Sequence, residues 1–255
     1  MLSIDNNSNA TYIRRSPLEA ELGYCLATAA TALAYKTLPS FSNPVKKQMT
    51  REWGNNHLYK DVFLKSVENS GLTQKGLQII SETGASDIGR GLNACYIPSQ
   101  KVIRLNINKA SISGFHELGH AINHIKGGFS RFLQNLRGPG MALAGVMGTV
   151  ALFSRNKPED AKKNFGDFIQ DNCGKIAFAA MLPTVAEETL ASYRGVKLAK
   201  EAGLAKPLVN NLKKFYGKAL LSYGGYALVT GVSVYLASKI TEMFTRPQKI
   251  NKPEY

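Results

Sequence analysis

Cysteine is scarce. Cys25, Cys95 and Cys173 are the three that 255 residues hold. They are far apart, odd in number and never spaced as CxxC, which argues against a disulfide framework and against a thiolate zinc site. Acidic residues are also few, 18 against 32 lysines and arginines, for a formal charge of +14 at pH 7. That imbalance calls for an anionic partner, either nucleic acid or the negative face of a membrane. Zinc-finger spacing, an RNP-like aromatic motif and a basic-region heptad are all missing. The basic residues instead flank apolar stretches, as Lys213, Lys214 and Lys218 do before one and Lys239 and Arg246 do after it. The charge is therefore read as meeting membrane lipids, an expected partner, or as plain solvated surface; no nucleic acid is expected. The opening MLSIDNNSNATYIRRS has no apolar h-region and is expected to be a polar, disordered tail, not a cleaved signal peptide. No internal repeat or low-complexity tract is present.

The length suits one large domain or two small ones. Four apolar stretches organise it: 22–35, 138–154, 176–186 and 219–238. A bilayer span needs about 20 apolar residues, and only the last stretch reaches that. It carries Ser222, Gly224, Gly225, Thr230, Gly231 and Ser233. Small residues of this kind suit close helix packing within a membrane, and equally a buried helix in a soluble core. Between these stretches, 44–70 reads as a polar, partly amphipathic helix ending before Gly71, with His57 on its surface. Residues 72–84 read as a second short helix. Residues 93–106 read as two short strands around the turn-forming Pro98-Ser99-Gln100. A helix is expected from about Ser111, with Ser or Asn as its cap. The expected organisation is a disordered tail over 1–16, a helical region over 17–85, a core with apolar helices over 86–244 and a second disordered tail over 245–255.

Histidine is nearly as scarce as cysteine, with four in the chain, and two of them stand in GFHELGH at 114–120. On a helix, His116 and His120 share one face a turn apart. Two imidazoles so placed can reach one tetrahedral ion, each with a neutral nitrogen at about 2.0–2.1 Å. Glu117 projects beside them, within reach of a water on that ion. The competing reading is a solvent-facing polar helix. Phe115, Leu118, Ala121, Ile122 and Ile125 weigh against it, because they make the helix apolar around the motif. Buried histidines and a buried glutamate need partners, and a metal ion would supply one.

A catalytic zinc has three protein ligands and a water. His124 lies on the same face, but a straight helix sets it roughly 12 Å along the axis from His116. It is expected to be structural or to lie behind the ligands. A glycine three residues after the second histidine, which would bend the chain toward a further histidine, is missing: Asn123 stands there. The remaining candidates are Glu187 and Glu188 in AEETLASYRG, at the end of the third apolar stretch on a helix expected to continue through Leu198. Either one closes the site, or both face solvent.

HELGH followed downstream by E-x-x-A-small resembles the gluzincin metallopeptidases. The nearest resemblance is to the integral-membrane zinc proteases of the prenyl-protein (CAAX) endopeptidase and heat-shock quality-control type. In that family an N-A pair opens a strand, a second strand follows, then the HExxH helix, an apolar membrane hairpin and E-x-x-A-D. Here Asn93-Ala94 opens the first strand, 101–106 supplies the second and 138–186 is available for the hairpin. Glu188, Ala191 and Ser192 match the last motif, with Ser192 where the family has aspartate. The resemblance spans about residues 90–200. It implies Glu188 as third ligand beside His116 and His120, and one catalytic zinc.

The expected fold is mainly α with a small β-hairpin, a zincin-like gluzincin core accompanied by apolar helices of transmembrane or buried character. The expected activity is that of a zinc endopeptidase on a protein or peptide substrate, with Glu117 as general base. Tyr193 and Arg194 are the candidates for stabilising the oxyanion. The strand at 102–106 is the candidate to hold substrate by β-augmentation. The expected location is the membrane, with the active site on the cytoplasmic side. Two alternatives stay open: a soluble gluzincin, and a non-catalytic membrane-associated scaffold.

Overall fold

Helix-forming stretches broken by a few glycine and proline turns make this a mainly helical chain with two small sheets. The computed structural model describes residues 2–3 and 11–250. In chain order the elements are β1 (Leu2–Ser3), β2 (Thr11–Ile13), α1 (Pro17–Glu52), α2 (Asn56–Ser70), β3 (Gln78–Ser81), β4 (Ala94–Ile97) and β5 (Val102–Leu105). Then follow α3 (Ser111–Ile125), α4 (Phe129–Ala151), α5 (Phe165–Glu201), α6 (Lys206–Thr245) and β6 (Gln248–Ile250).

Two compact units result. One is built from Pro39–Pro139 and Leu182–Tyr226, the other from Met1–Leu38, Gly140–Met181 and Ala227–Tyr255. Helices α1, α4, α5 and α6 each contribute to both. Three of them change unit at or beside a proline: Pro39 in α1, Pro139 in α4 and Pro183 in α5. A proline inside a helix removes one backbone hydrogen bond.

The first unit has a core of large side chains. Tyr59, Phe63, Leu72, Ile103, Leu105, Ile112, Phe115, Leu118 and Leu212 are almost fully buried in it. The expected hairpin is present, with β4 antiparallel to β5 in the register Ala94↔Leu105 to Ile97↔Val102. Residues 72–84 differ from expectation. Only Thr73–Lys75 makes a helical turn, Gly76 stops it in the left-handed region, and Gln78–Ser81 form β3 parallel to β5. Long-range pairing to β5 and the branched Ile79-Ile80 pair override the local helical reading. The 44–70 helix is also divided. Its first part ends α1, a tight turn covers Trp53–Asn55, and α2 follows, closed by Gly71 at φ 65°.

Helix α3 is buried from Ser111 through Asn123. Its start is capped from a distance: Asn56 Oδ1 accepts the Ser111 N–H at 2.8 Å, and Asn56 Nδ2 donates to the Ile107 carbonyl at 2.8 Å. Phe115 meets Phe63 edge to face, with ring centroids 5.5 Å apart. Its other neighbour is α5, and glycine sets that approach. A Cβ on Gly119 would fall 2.1 Å from the Ala191 carbonyl oxygen, and one on Gly195 would fall 2.5 Å from that of Phe115. A side chain at either position would force the two backbones apart.

The second unit is built the other way round. Its core is mostly small: Ala27, Ala144, Ala151, Ala177 and Ala237, with Met147, Cys173 and Val234. Gly140 sits against the Ala180 carbonyl, and Gly174 against that of Gly231. The large apolar side chains point outward, among them Leu22, Leu26 and Leu33 on α1, Met141, Leu143 and Val146 on α4, and Leu228 and Val232 on α6. Among the described residues, α6 is the one helix long and apolar enough to cross a membrane. The apolar stretches 138–154 and 176–186 do not reach that by length and composition. In the terminal segments, expected to be disordered, Thr11–Ile13 pairs antiparallel with Gln248–Ile250. Residues 1, 4–10 and 251–255 of those segments lie outside the described residues.

Candidate metal centre

The close approach of α3 and α5 carries two histidines to two glutamates. His116 Nε2 and His120 Nε2 are 3.0 Å apart. Glu188 Oε2 lies 2.9 Å from the first and 3.4 Å from the second. Three ligand atoms around one zinc at about 2.0–2.1 Å in tetrahedral geometry are spaced roughly 3.3 Å apart. The three separations bracket that value, so the donor set fits an ion of this size and preference. His116, Glu117 and His120 form one group able to hold a metal ion, and His120, Glu187 and Glu188 form another that shares His120. All five side chains are buried, Glu187 and Glu188 completely.

The far side of each imidazole is also held. His116 Nδ1 lies 3.1 Å from Ser192 Oγ, and His120 Nδ1 lies 2.8 Å from Glu187 Oε1. Asn123 Nδ2 donates to the same Glu187 oxygen at 2.7 Å. Arg137, on α4, reaches both acids: Nη1 lies 2.9 Å from Glu187 Oε2 and Nη2 lies 2.7 Å from Glu188 Oε1. Hydrogen bonds of this kind fix ring orientation and raise ligand basicity.

Electrostatics follow from burial and these partners. Burial opposes protonation of His120, but the Glu187 and Glu188 carboxylates outweigh it and push its pKa up to about 10. Burial acts to raise the Glu188 pKa, yet hydrogen bonds from His116 and His120 hold it far below the usual carboxylate range. Glu187 is also held low, against its burial, by His120, Asn123 and Arg137. Glu117 is different. Burial pushes its pKa up, partly offset by the two histidines and by the nearby Tyr96 backbone of β4.

The structure thus brings His116, Glu117, His120 and Glu188 together. It sets the remaining candidates elsewhere. His124 pairs with the Tyr96 hydroxyl, 2.8 Å from Nδ1, away from the cluster. Tyr193 is two-thirds exposed. Arg194 Nη1 donates to Asn123 Oδ1 and to Ser130 Oγ, so it stands behind Glu187 and does not face the histidines. Strand β5, the candidate for substrate augmentation, is paired on both sides; the sheet order is β3-β5-β4, and β4 is the edge that runs past Glu117.

Sequence reasoning missed Arg137 and Asn123. Asn123 lies one turn beyond His120 on the motif's face, which was a usable signal. Arg137 is the last charge before the uncharged stretch 138–154, and nothing local ties it to α5. Comparison of the chain with known protein families, curated proteins and solved structures finds no match.

Proposed function

We propose that the chain is a zinc-dependent endopeptidase associated with a membrane. The observation that carries this reading is the convergence of His116 Nε2, His120 Nε2 and Glu188 Oε2 at tetrahedral-edge spacing, with Glu117 beside them. When bound, zinc supplies Lewis acidity and brings the pKa of water at the site toward 7.

The chain's own groups account for the rest. Glu117 accepts a proton from water and returns it to the leaving amine of the cleaved peptide, a role its raised pKa suits. Strand β4 has one edge paired with β5, and its other edge offers backbone hydrogen bonds to an extended peptide. Such pairing gives affinity with little demand on side-chain identity. Tyr223 on α6 interacts electrostatically with both Glu188 and Glu117, which makes it, in place of Tyr193 and Arg194, our candidate to donate to a developing oxyanion. The membrane part of the reading rests on α6 and on the outward-facing leucines of the unit with the small-residue core.

The test is Glu117→Gln, which keeps the shape of the side chain and removes its basicity. Zinc content should stay at the wild-type level, and cleavage of an unstructured protein substrate should fall by about 10²–10⁴-fold. Unchanged turnover would overturn the assignment.

A further inference from the structure

Two adjacent acids inside a protein are an electrostatic problem. Glu187 and Glu188 are both buried, at 0% and 1% exposure, and both are needed ionised if one is to ligate a metal and the other to hold His120. Neighbouring carboxylates disfavour each other's charge, and burial disfavours both. Residues next to one another on a helix also point in directions about 100° apart, so two such side chains have no intrinsic reason to serve one site. Something must neutralise them and set their rotation together.

We propose that Arg137 is the positioning residue that does this, a clamp on the third zinc ligand and on its neighbour; the inference rests on the zinc reading above. The geometry is specific. The two terminal nitrogens of one guanidinium are divided between the two acids, Nη1 to Glu187 Oε2 and Nη2 to Glu188 Oε1. Each acid therefore has one oxygen occupied. The oxygens left over are the ones the site uses: Glu188 Oε2 faces both histidine Nε2 atoms, and Glu187 Oε1 faces His120 Nδ1 and Asn123. A planar fork can hold two carboxylates in a fixed relation, whereas an ammonium is a point charge without that shape. The hydrogen bonds and ion pairs of Arg137 go to the two acids and to neither histidine. It acts through the two acids.

The experiment uses the full chain in detergent, with Arg137→Lys, Arg137→Gln and the double variant Arg137→Gln/Glu187→Gln. Zinc affinity is read by competition with a chromophoric chelator, ligand geometry by the visible spectrum of the cobalt(II) form, and folding by circular dichroism. Arg137→Lys keeps the charge and should fold, but bind zinc about 10- to 100-fold more weakly, as loss of a partner behind a ligand does, with a shifted cobalt spectrum. Arg137→Gln should be weaker still, because Glu187 is left buried without its counter-ion. Adding Glu187→Gln should recover part of that loss, since the amide needs no counter-ion and its oxygen still accepts from His120. A residue with only a packing role would move neither the cobalt spectrum nor this rescue. Wild-type affinity and an unchanged spectrum in Arg137→Lys, or additive losses in the double variant, would overturn the clamp. A wild-type protein that binds zinc but cleaves nothing sinks the peptidase reading and leaves the clamp standing. One that binds neither zinc nor cobalt overturns both.

Discussion

Glu187 and Glu188 grip opposite edges of the His120 ring: Glu187 Oε1 lies 2.8 Å from Nδ1, and Glu188 Oε2 lies 3.4 Å from Nε2. The two acids therefore hold different nitrogens of one ring. One acid stands with the two Nε2 atoms of the candidate metal site. The other sets the ring's orientation and tautomer from behind.

Substitution of the two acids separates these roles. Glu188→Gln removes a charged donor from the convergent set, so zinc should be lost and thermal stability should fall with it. Glu187→Gln keeps an acceptor for His120 but gives up charge, and zinc affinity should drop about 10- to 100-fold with the fold retained. The sequence alone offers no reason for Glu187 to matter if Glu188 is the ligand; its complete burial and its bonds to His120, Asn123 and Arg137 supply one. Zinc titration of the two variants side by side checks this. Wild-type affinity in Glu188→Gln would remove that residue from the ligand set.

The histidines divide in the same way. His116→Ala and His120→Ala should each abolish zinc binding. His124→Ala should retain it, because His124 is committed to the Tyr96 hydroxyl on β4. Metal analysis of the purified variants decides, and loss of zinc in His124→Ala would contradict the geometry.

On the proposed reading, zinc and protons compete for His120. Its pKa is pushed up to about 10 by the two carboxylates, so at neutral pH zinc must displace a proton from it. Glu188, held far below the usual carboxylate range, is already ionised and releases none. The sign is therefore fixed: apparent zinc affinity should rise with pH, by about tenfold per unit between about pH 7 and 9. Calorimetry in buffers of different ionisation enthalpy should count the proton released. Affinity independent of pH across this range would mean that His120 carries no proton to displace at neutral pH, and that the two carboxylates do not raise its pKa.

Membrane attachment is read by extraction. Protein held by its outward-facing leucines and by α6 should stay with the membrane through a carbonate wash and leave it in detergent. Release by high salt alone would mean that only the basic surface makes contact, because salt screens exposed charges and leaves apolar contacts intact.

HELGH was legible because its chemistry lies within a single helical turn: local periodicity alone puts His116, Glu117 and His120 on neighbouring positions. The β4–β5 hairpin was legible for the same reason, with its turn residues between two short apolar runs. Residues far apart in sequence behaved differently. Strand β3 exists only by pairing with β5, which overrode a helical reading of 72–84. The cap of α3 comes from Asn56, more than fifty residues upstream. The division of labour between Glu187 and Glu188 depends on where Arg137 and Asn123 arrive, and that depends on Gly119 letting α3 and α5 touch. Composition and short-range spacing carry the propensities of single elements. Which buried charge meets which partner is settled by long-range packing, where ångström differences between backbones decide what can pair.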